Sequence, residues 1–365
     1  MVRVPLDHLH WSKTAVARHA WNLADSAIAA PDLAALGMPN QAVLAPDGYA
    51  AQEPLERALG ARLRAPGGRV ALAAGASEAN AAVLASLLAP GDEVLIETPG
   101  YEPLRRVPEV FGARVRSFAR TGIPGALGPA VERALGPATR LVVVSDLHNP
   151  SGVRLAAADV TALAALARAR GFQVLCDETF RDAAERPPGT TAGIEPGWIA
   201  TGSLTKVYGL GGLRLGWIAA APAMLEACEA GVNAFSVQPS VLSIDLAGRL
   251  LPHLDRLVAR TRGILATNHQ AWAEFVSRHP VFRAPRTEGT TTWCRFGADG
   301  EGDAFAAFAS SRFDLAIPRG SWFGDSRGVR IALGAEPARL AATLETLSAA
   351  ARAFEWSDAV EKEPA

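Results

Sequence analysis

The chain has 365 residues, enough for about two domains and a sizeable core. Hydrophobic residues make up 49% and charged ones 20%, with a formal net charge of −1 and a pI near 6.7. That balance gives no electrostatic reason to expect nucleic acid or an anionic membrane as partner. No apolar run approaches the roughly 20 residues needed to span a bilayer, and the N-terminus lacks the apolar core of a signal peptide. Cys176, Cys228 and Cys294 are odd in number and far apart, so neither a disulfide framework nor a metal knuckle is indicated. The expected setting is cytoplasmic.

In chain order, the N-terminal residues read as helix, followed by an extended piece at Trp21-Asn22-Leu23 and a polar turn at Ala24-Asp25-Ser26. Pro31, Gly37, Pro39 and Pro46 punctuate a loop-rich stretch, and Pro54 opens a helix with Leu55, Leu59 and Leu63 on one face. From Val70 the chain alternates between short apolar runs and helical segments. The runs are Val70–Leu72, Val94–Ile96, Arg114–Phe118, Leu141–Val144, Gln173–Cys176, Trp198–Ala200 and Trp217–Ala219. Such alternation predicts an α/β fold with a mostly parallel sheet and helices on both faces. Beyond Ala219 the chain reads as helical. One long helix past Leu250 connects to a second part made of strand, helix, strand and a last helix from Pro337.

Polar residues recur where the apolar runs end. Ser77, Tyr101, Asn149, Asp177 and Lys206 each follow a different one, and in open parallel sheets that edge is where ligands bind. Gly75-Ala76-Ser77 at a helix start is a natural seat for a phosphate, with Ser203 and Arg214 able to complete it. Tyr101 can stack on a flat ring, Asp177 can hold a proton on a ring nitrogen, and Asn149 can hydrogen-bond a ring hydroxyl. Lys206 is one of only three lysines, with Lys13 and Lys362, in a chain that otherwise uses arginine. Arginine stays protonated and cannot form an imine, so a lysine kept here points to nucleophilic amine chemistry. A phosphate, a pyridinium, a hydroxyl and an aldehyde together describe pyridoxal 5'-phosphate (PLP).

These motifs, with Pro99-Gly100-Tyr101, Asn149-Pro150-Ser151-Gly152, Asp177-Glu178, Ser203-Leu204-Thr205-Lys206 and Arg330 in Val-Arg-Ile-Ala-Leu, make the sequence resemble the class I/II aminotransferases, fold type I PLP enzymes. The resemblance runs from about Asn22 to Leu333. It implies a large PLP-binding domain over 41–270, and a smaller α+β domain formed by 1–40 and 271–365. It implies an internal aldimine on Lys206, which also moves the substrate proton, and a bidentate clamp of Arg330 on the α-carboxylate. It further implies a substrate pocket reached by Trp21, Asp25 and Ser26, with Trp293 and Trp322 as further candidates. The activity implied is amino transfer from an L-amino acid to a 2-oxo acid. Tyr49 resembles the tyrosine that reaches the neighbouring subunit's phosphate, which implies a homodimer with shared sites, although Ala50-Ala51-Gln52-Glu53 replaces the usual glycine-proline pattern after it.

One departure concerns the ring. Phe180 stands where the family has a tyrosine that donates to the ring hydroxyl, leaving room for another PLP reaction such as that of a lyase, decarboxylase, cyclase or oxidase. No second arginine is evident for a dicarboxylic side chain. Neutral or aromatic amino acids are therefore the expected substrates, with Arg286, Arg295 and Arg319 as candidates for an acidic one.

Overall fold

A computed structural model describes residues 4–37, 50–185, 187 and 189–356. The N-terminal part holds helix α1 (Asp7–Thr14) and the two-residue strand β1 (Trp21–Asn22). Helix α2 (Gln52–Leu63) precedes β2 (Ala71–Ala73), α3 (Ala76–Leu87), β3 (Glu93–Thr98), α4 (Glu102–Arg106) and β4 (Arg114–Ala119). There follow α5 (Leu127–Ala134), β5 (Thr139–Ser145), α6 (Ala157–Arg170), β6 (Gln173–Asp177), β7 (Trp198–Ser203) and β8 (Gly216–Ala219). The rest comprises α7 (Pro222–Phe235), α8 (Val241–Leu250), α9 (Leu254–Arg278), β9 (Thr291–Arg295), α10 (Glu301–Phe313), β10 (Leu315–Ala316), β11 (Gly328–Ala332) and α11 (Pro337–Ala353).

Seven strands form one sheet in the order β2-β8-β7-β6-β5-β3-β4. All pairings are parallel except those of β8, which runs antiparallel to both β2 and β7. Strand alternation explains why the central strands are apolar throughout. Leu141 and Val143 pack on one face with Val94, Ile96 and Leu175, while Val142 and Val144 pack on the other with Leu95, Val174 and Trp198. Each of these side chains is at most 1% exposed, and complete burial of such a side chain contributes about 1.5–3 kcal/mol. Both faces are covered: α3 and α7 pack on one, and α5 and α6 on the other.

Where a single helical stretch is expected past β8, the structure has three helices. Prolines explain the breaks: Pro239 falls between α7 and α8, and Pro252 between α8 and α9. A proline removes a backbone donor and clashes with the preceding turn. The 25-residue α9 joins two cores. Ile264 and Leu265 pack with Leu59, Leu72 and Val207, and Trp272 and Phe275 pack with Leu23, Phe282, Phe305 and Leu344. The second core is also bounded by the pairs β1–β10 (parallel) and β9–β11 (antiparallel). Among the described residues no helix is long and apolar enough to cross a membrane.

Candidate active site

The strands of the large sheet finish on one side of a cavity of about 590 Å3. At the start of α3, Gly75 has φ +90, a backbone conformation that L side chains rarely adopt. A Cβ there would come within 2.6 Å of Arg214 Nη2. Only glycine lets the guanidinium lie against the first turn of the helix. Gly216 on β8 is equally constrained, since its Cβ would sit 2.5 Å from the Gly75 carbonyl carbon. Arg214 Nη2 donates to Ala74 O at 3.3 Å. Ala76, Ser77, Ser203, Thr205 and Arg214 all line the cavity, placing a helix start, hydroxyls and a cation together. That donor set fits a phosphate.

Asp177, the last residue of β6, is buried at the cavity floor. One carboxylate oxygen accepts from Asn80 Nδ2 at 3.0 Å and the other from Thr179 N at 3.0 Å. Asn80 Oδ1 in turn accepts from Thr201 Oγ1 at 2.6 Å, which fixes the amide so that its donor faces the aspartate. Burial raises the Asp177 pKa, partly offset by the donors from Thr179 and Asn80. An aspartate that is buried and pinned in this way, with no cationic side chain paired to it among the described residues, suits a partner that brings its own positive charge, such as a protonated ring nitrogen.

Asn149 is buried and held from two sides. Its backbone N donates to Ser145 Oγ at 3.2 Å, and its Oδ1 accepts from Arg330 Nη1 at 3.3 Å. Ser145 is itself fixed by a buried ion pair: its Oγ donates to Glu97 Oε1, and Arg120 Nη1 donates to both Glu97 Oε2 (2.7 Å) and Ser145 O (2.8 Å). Tyr101 and Phe180 line the same cavity. Burial, followed by the charge of Asp177, pushes the Tyr101 phenol up to about 12, so it stays a neutral ring.

Lys206 follows β7 and reaches into the cavity. Burial of its ammonium lowers the pKa, Asp25 opposes that, and Arg330 and Arg214 lower it further. Arg330 on β11 is 2% exposed. Its Nη2 donates to Ala24 O at 2.6 Å, its guanidinium lies 5.1 Å over the Phe323 ring, and its Nε has no hydrogen-bond partner among the described residues. Burial lowers its pKa to about 10. A buried guanidinium with an unpaired N–H and no carboxylate partner among the described residues calls for an anion from outside the chain.

Of the residues singled out from sequence, the structure brings Ala76, Ser77, Tyr101, Asn149, Asp177, Ser203, Lys206, Arg214, Arg330, Asp25 and Ser26 to this cavity, with Gly75 behind Arg214. Trp21 is a correction. It packs against the second core, with Arg339 4.6 Å over its ring, because strand alternation turns its neighbour Asn22 to the cavity instead. Trp293 lies outside the cavity beside Phe323, and Trp322 stacks on His8 and packs tilted against Trp11 behind the wall. Arg286, Arg295 and Arg319 do not reach it. Tyr49 falls outside the described residues. Sequence reasoning missed Asn80, Thr179 and Ser145, and it missed the face of α1 that carries His8, Leu9, Ser12 and Lys13. Among the described residues no group of His, Cys, Asp or Glu could hold a metal ion.

Residues 30–336 match the family "Aminotransferase class I and II". A probable N-succinyldiaminopimelate aminotransferase of Mycobacterium tuberculosis is 32% identical over 191 residues, covering 48% of this chain and 47% of that protein. The chain thus spans about half the length of the curated relatives it matches. Among solved structures, a PLP-dependent aminotransferase from Streptococcus suis superposes with TM-score 0.82 at 21% identity, over 98% of this chain and 100% of that one. The PLP-dependent cyclase OrfR superposes with TM-score 0.83 at 25% identity, over 96% and 98%. The chain belongs to the class I and II aminotransferase family, with the fold type I architecture and pyridoxal 5'-phosphate as its cofactor.

Proposed function

We propose that this protein is an aminotransferase that moves an amino group from an L-amino acid to a 2-oxo acid, with Lys206 as the residue that carries PLP. The observation that carries the reading is a buried lysine with a lowered pKa that shares one cavity with a pinned aspartate and with an arginine that has no anionic partner among the described residues. When bound, PLP supplies an aldehyde carbon that takes the amino group and a ring that accepts the electron pair left at the substrate Cα. The Ala76–Ser77 helix start, Ser203 and Arg214 would hold its phosphate, and Tyr101 and Asn149, which line the same cavity, would hold its ring and ring oxygen. Asp177, pinned by Asn80 and Thr179, would keep a ring nitrogen beside it protonated. Arg330 holds the α-carboxylate, which orients the Cα–H bond. Lys206 Nζ, whose pKa burial lowers, would accept the proton leaving Cα once it is deprotonated.

The large and small domains at 41–270 and 1–40 plus 271–365 belong to the same reading, supported by the change of core along α9. A cytoplasmic homodimer does so too. Phe235 and Val237 stand 50% and 65% exposed, apolar surface of the kind a second copy covers, and gel filtration of the holoprotein tests it.

Adding a single amino acid to holoprotein, with no acceptor, tests the activity. Loss of the cofactor's visible absorbance with release of the matching 2-oxo acid is expected. Release of ammonia, carbon dioxide or peroxide supports a second reading, another PLP reaction on an amino acid, which the similarity to OrfR and the Phe180 departure favour.

Two further outcomes follow from the geometry. Capture of PLP by apoprotein speeds up as pH rises and levels off at a pH below 10.5, the ordinary lysine value, because the reactive amine is the deprotonated form and burial has lowered its pKa. Stopped-flow absorbance at a series of pH values reads this, and a rate still rising at pH 10.5 contradicts it. Phe180, 6% exposed on the cavity wall, can be changed to tyrosine. The added hydroxyl donates to the ring oxygen and stabilises its anion, so Phe180→Tyr lowers the midpoint of the bound cofactor's spectral titration by about one pH unit. An unmoved midpoint places Phe180 away from that oxygen.

A further inference from the structure

The inner charges of the cavity all have work to do in the reading above. Arg214 faces the phosphate seat, Asp177 the ring and Arg330 the α-carboxylate, and Asp25 acts on the charges of both Lys206 and Arg330. One cation remains. Lys13 lines the same cavity, and among the described residues its ammonium has no carboxylate within 4.0 Å and no hydrogen-bond partner. Of the chain's three lysines, two stand at this one cavity.

Lys13 is placed there by a fixed wall. The backbone N–H groups of His8 and Leu9 donate to Glu102 Oε2 at 3.0 and 3.4 Å, so a carboxylate on α4 anchors the first turn of α1. The helix then presents His8, Leu9, Ser12 and Lys13 on one face. His8 lies at the inner end, where burial and then the nearby Arg330 and Lys206 hold its pKa down to about 2, leaving a neutral ring. Leu9 and Leu104 make the middle of the wall apolar. Lys13 comes five residues after His8, about 7.5 Å farther along the helix axis. From the inside outward the cavity therefore offers a cation for an α-carboxylate, an apolar stretch and a second cation.

We propose that Lys13 reads the far end of the substrate side chain: it takes a distal carboxylate, so the substrate is an L-amino acid whose side chain has an apolar spacer of about three methylenes or more ending in an anion. This rests on the aminotransferase reading and replaces the expectation of a neutral or aromatic substrate. Lysine suits the position because a flexible point charge at a cavity mouth follows side chains of slightly different length, where the planar arginine fork selects one.

The test uses two substrates that differ at the tip alone, L-2-aminoadipate (carboxylate) and L-norleucine (methyl), with holoprotein. Wild type favours 2-aminoadipate in kcat/KM by about tenfold or more, as a charge-assisted hydrogen bond requires. Lys13→Met removes most of that ratio, Lys13→Glu inverts it, and Lys13→Arg keeps it. A ratio that ignores these changes, or a wild type that favours norleucine, overturns the proposal. Calorimetric titration with adipate and hexanoate, which carry no amino group, separates the two claims. If adipate binds more tightly through Lys13 while no amino acid is converted, the aminotransferase reading fails and the distal-anion site stands. If amino acids are converted while adipate and hexanoate bind equally, the inference about Lys13 fails alone.

Discussion

Lys206→Ala abolishes amino transfer, with a loss on the order of 10³- to 10⁴-fold or more in kcat, because one substitution removes both the amine that carries the cofactor and the base that takes the Cα proton. Lys206→Arg is no rescue. The guanidinium keeps the positive charge and much of the length, but it stays protonated and can act neither as nucleophile nor as base. The arginine variant therefore separates charge from chemistry. The fold survives both changes, since Lys206 makes no ion pair among the described residues and its backbone carbonyl, which accepts from Ile28 N at 3.1 Å, is unaffected. Single-turnover assays on refolding-competent, PLP-saturated variants read the effect. Activity of Lys206→Arg within tenfold of wild type removes the lysine from the mechanism.

Asp177→Asn has the second-largest effect, on the order of 10²- to 10³-fold in kcat, in line with the loss of one preorganised electrostatic partner. The change is nearly isosteric, and Thr179 N can still donate to the remaining carbonyl oxygen, so the site keeps its shape. What disappears is the negative charge opposite the ring nitrogen. The amide nitrogen now faces Asn80 Nδ2, which was a donor to the carboxylate. Asn80 cannot simply flip, because its Oδ1 is held by Thr201 Oγ1. The measurement is kcat with saturating amino acid, together with the cofactor's affinity. A kcat within fivefold of wild type means that the charge is supplied elsewhere.

Much of this was readable in the sequence for a physical reason. In a parallel sheet the strands end on one side, so the residues after each apolar run had to meet there, and Ser77, Tyr101, Asn149, Asp177 and Lys206 do. The strands were legible because burial on both faces makes them continuously apolar, as in Leu141–Val144. What escaped was carried by the other kind of information, side-chain direction within an element. Asn80 lies on the apolar face that Val83, Leu84 and Leu87 mark in α3, but that stripe says only that it meets the sheet, and the register of α3 against β6 and β7 decides that it meets Asp177. Trp21 and Asn22 are adjacent, and the pairing of β1 with β10, remote in sequence, decides which of them sees the cavity. The face of α1 escaped for the same reason: nothing local says that Glu102, some 94 positions away, receives its first turn.

The account stands on covalent attachment at position 206. Holoprotein reduced with borohydride, digested and sequenced by mass spectrometry reads it directly. The expected result is a pyridoxyl-phosphate mass increment on the peptide that contains Lys206 and on neither Lys13 nor Lys362. A reduced protein with no such increment, or with the increment on Lys13, contradicts the account.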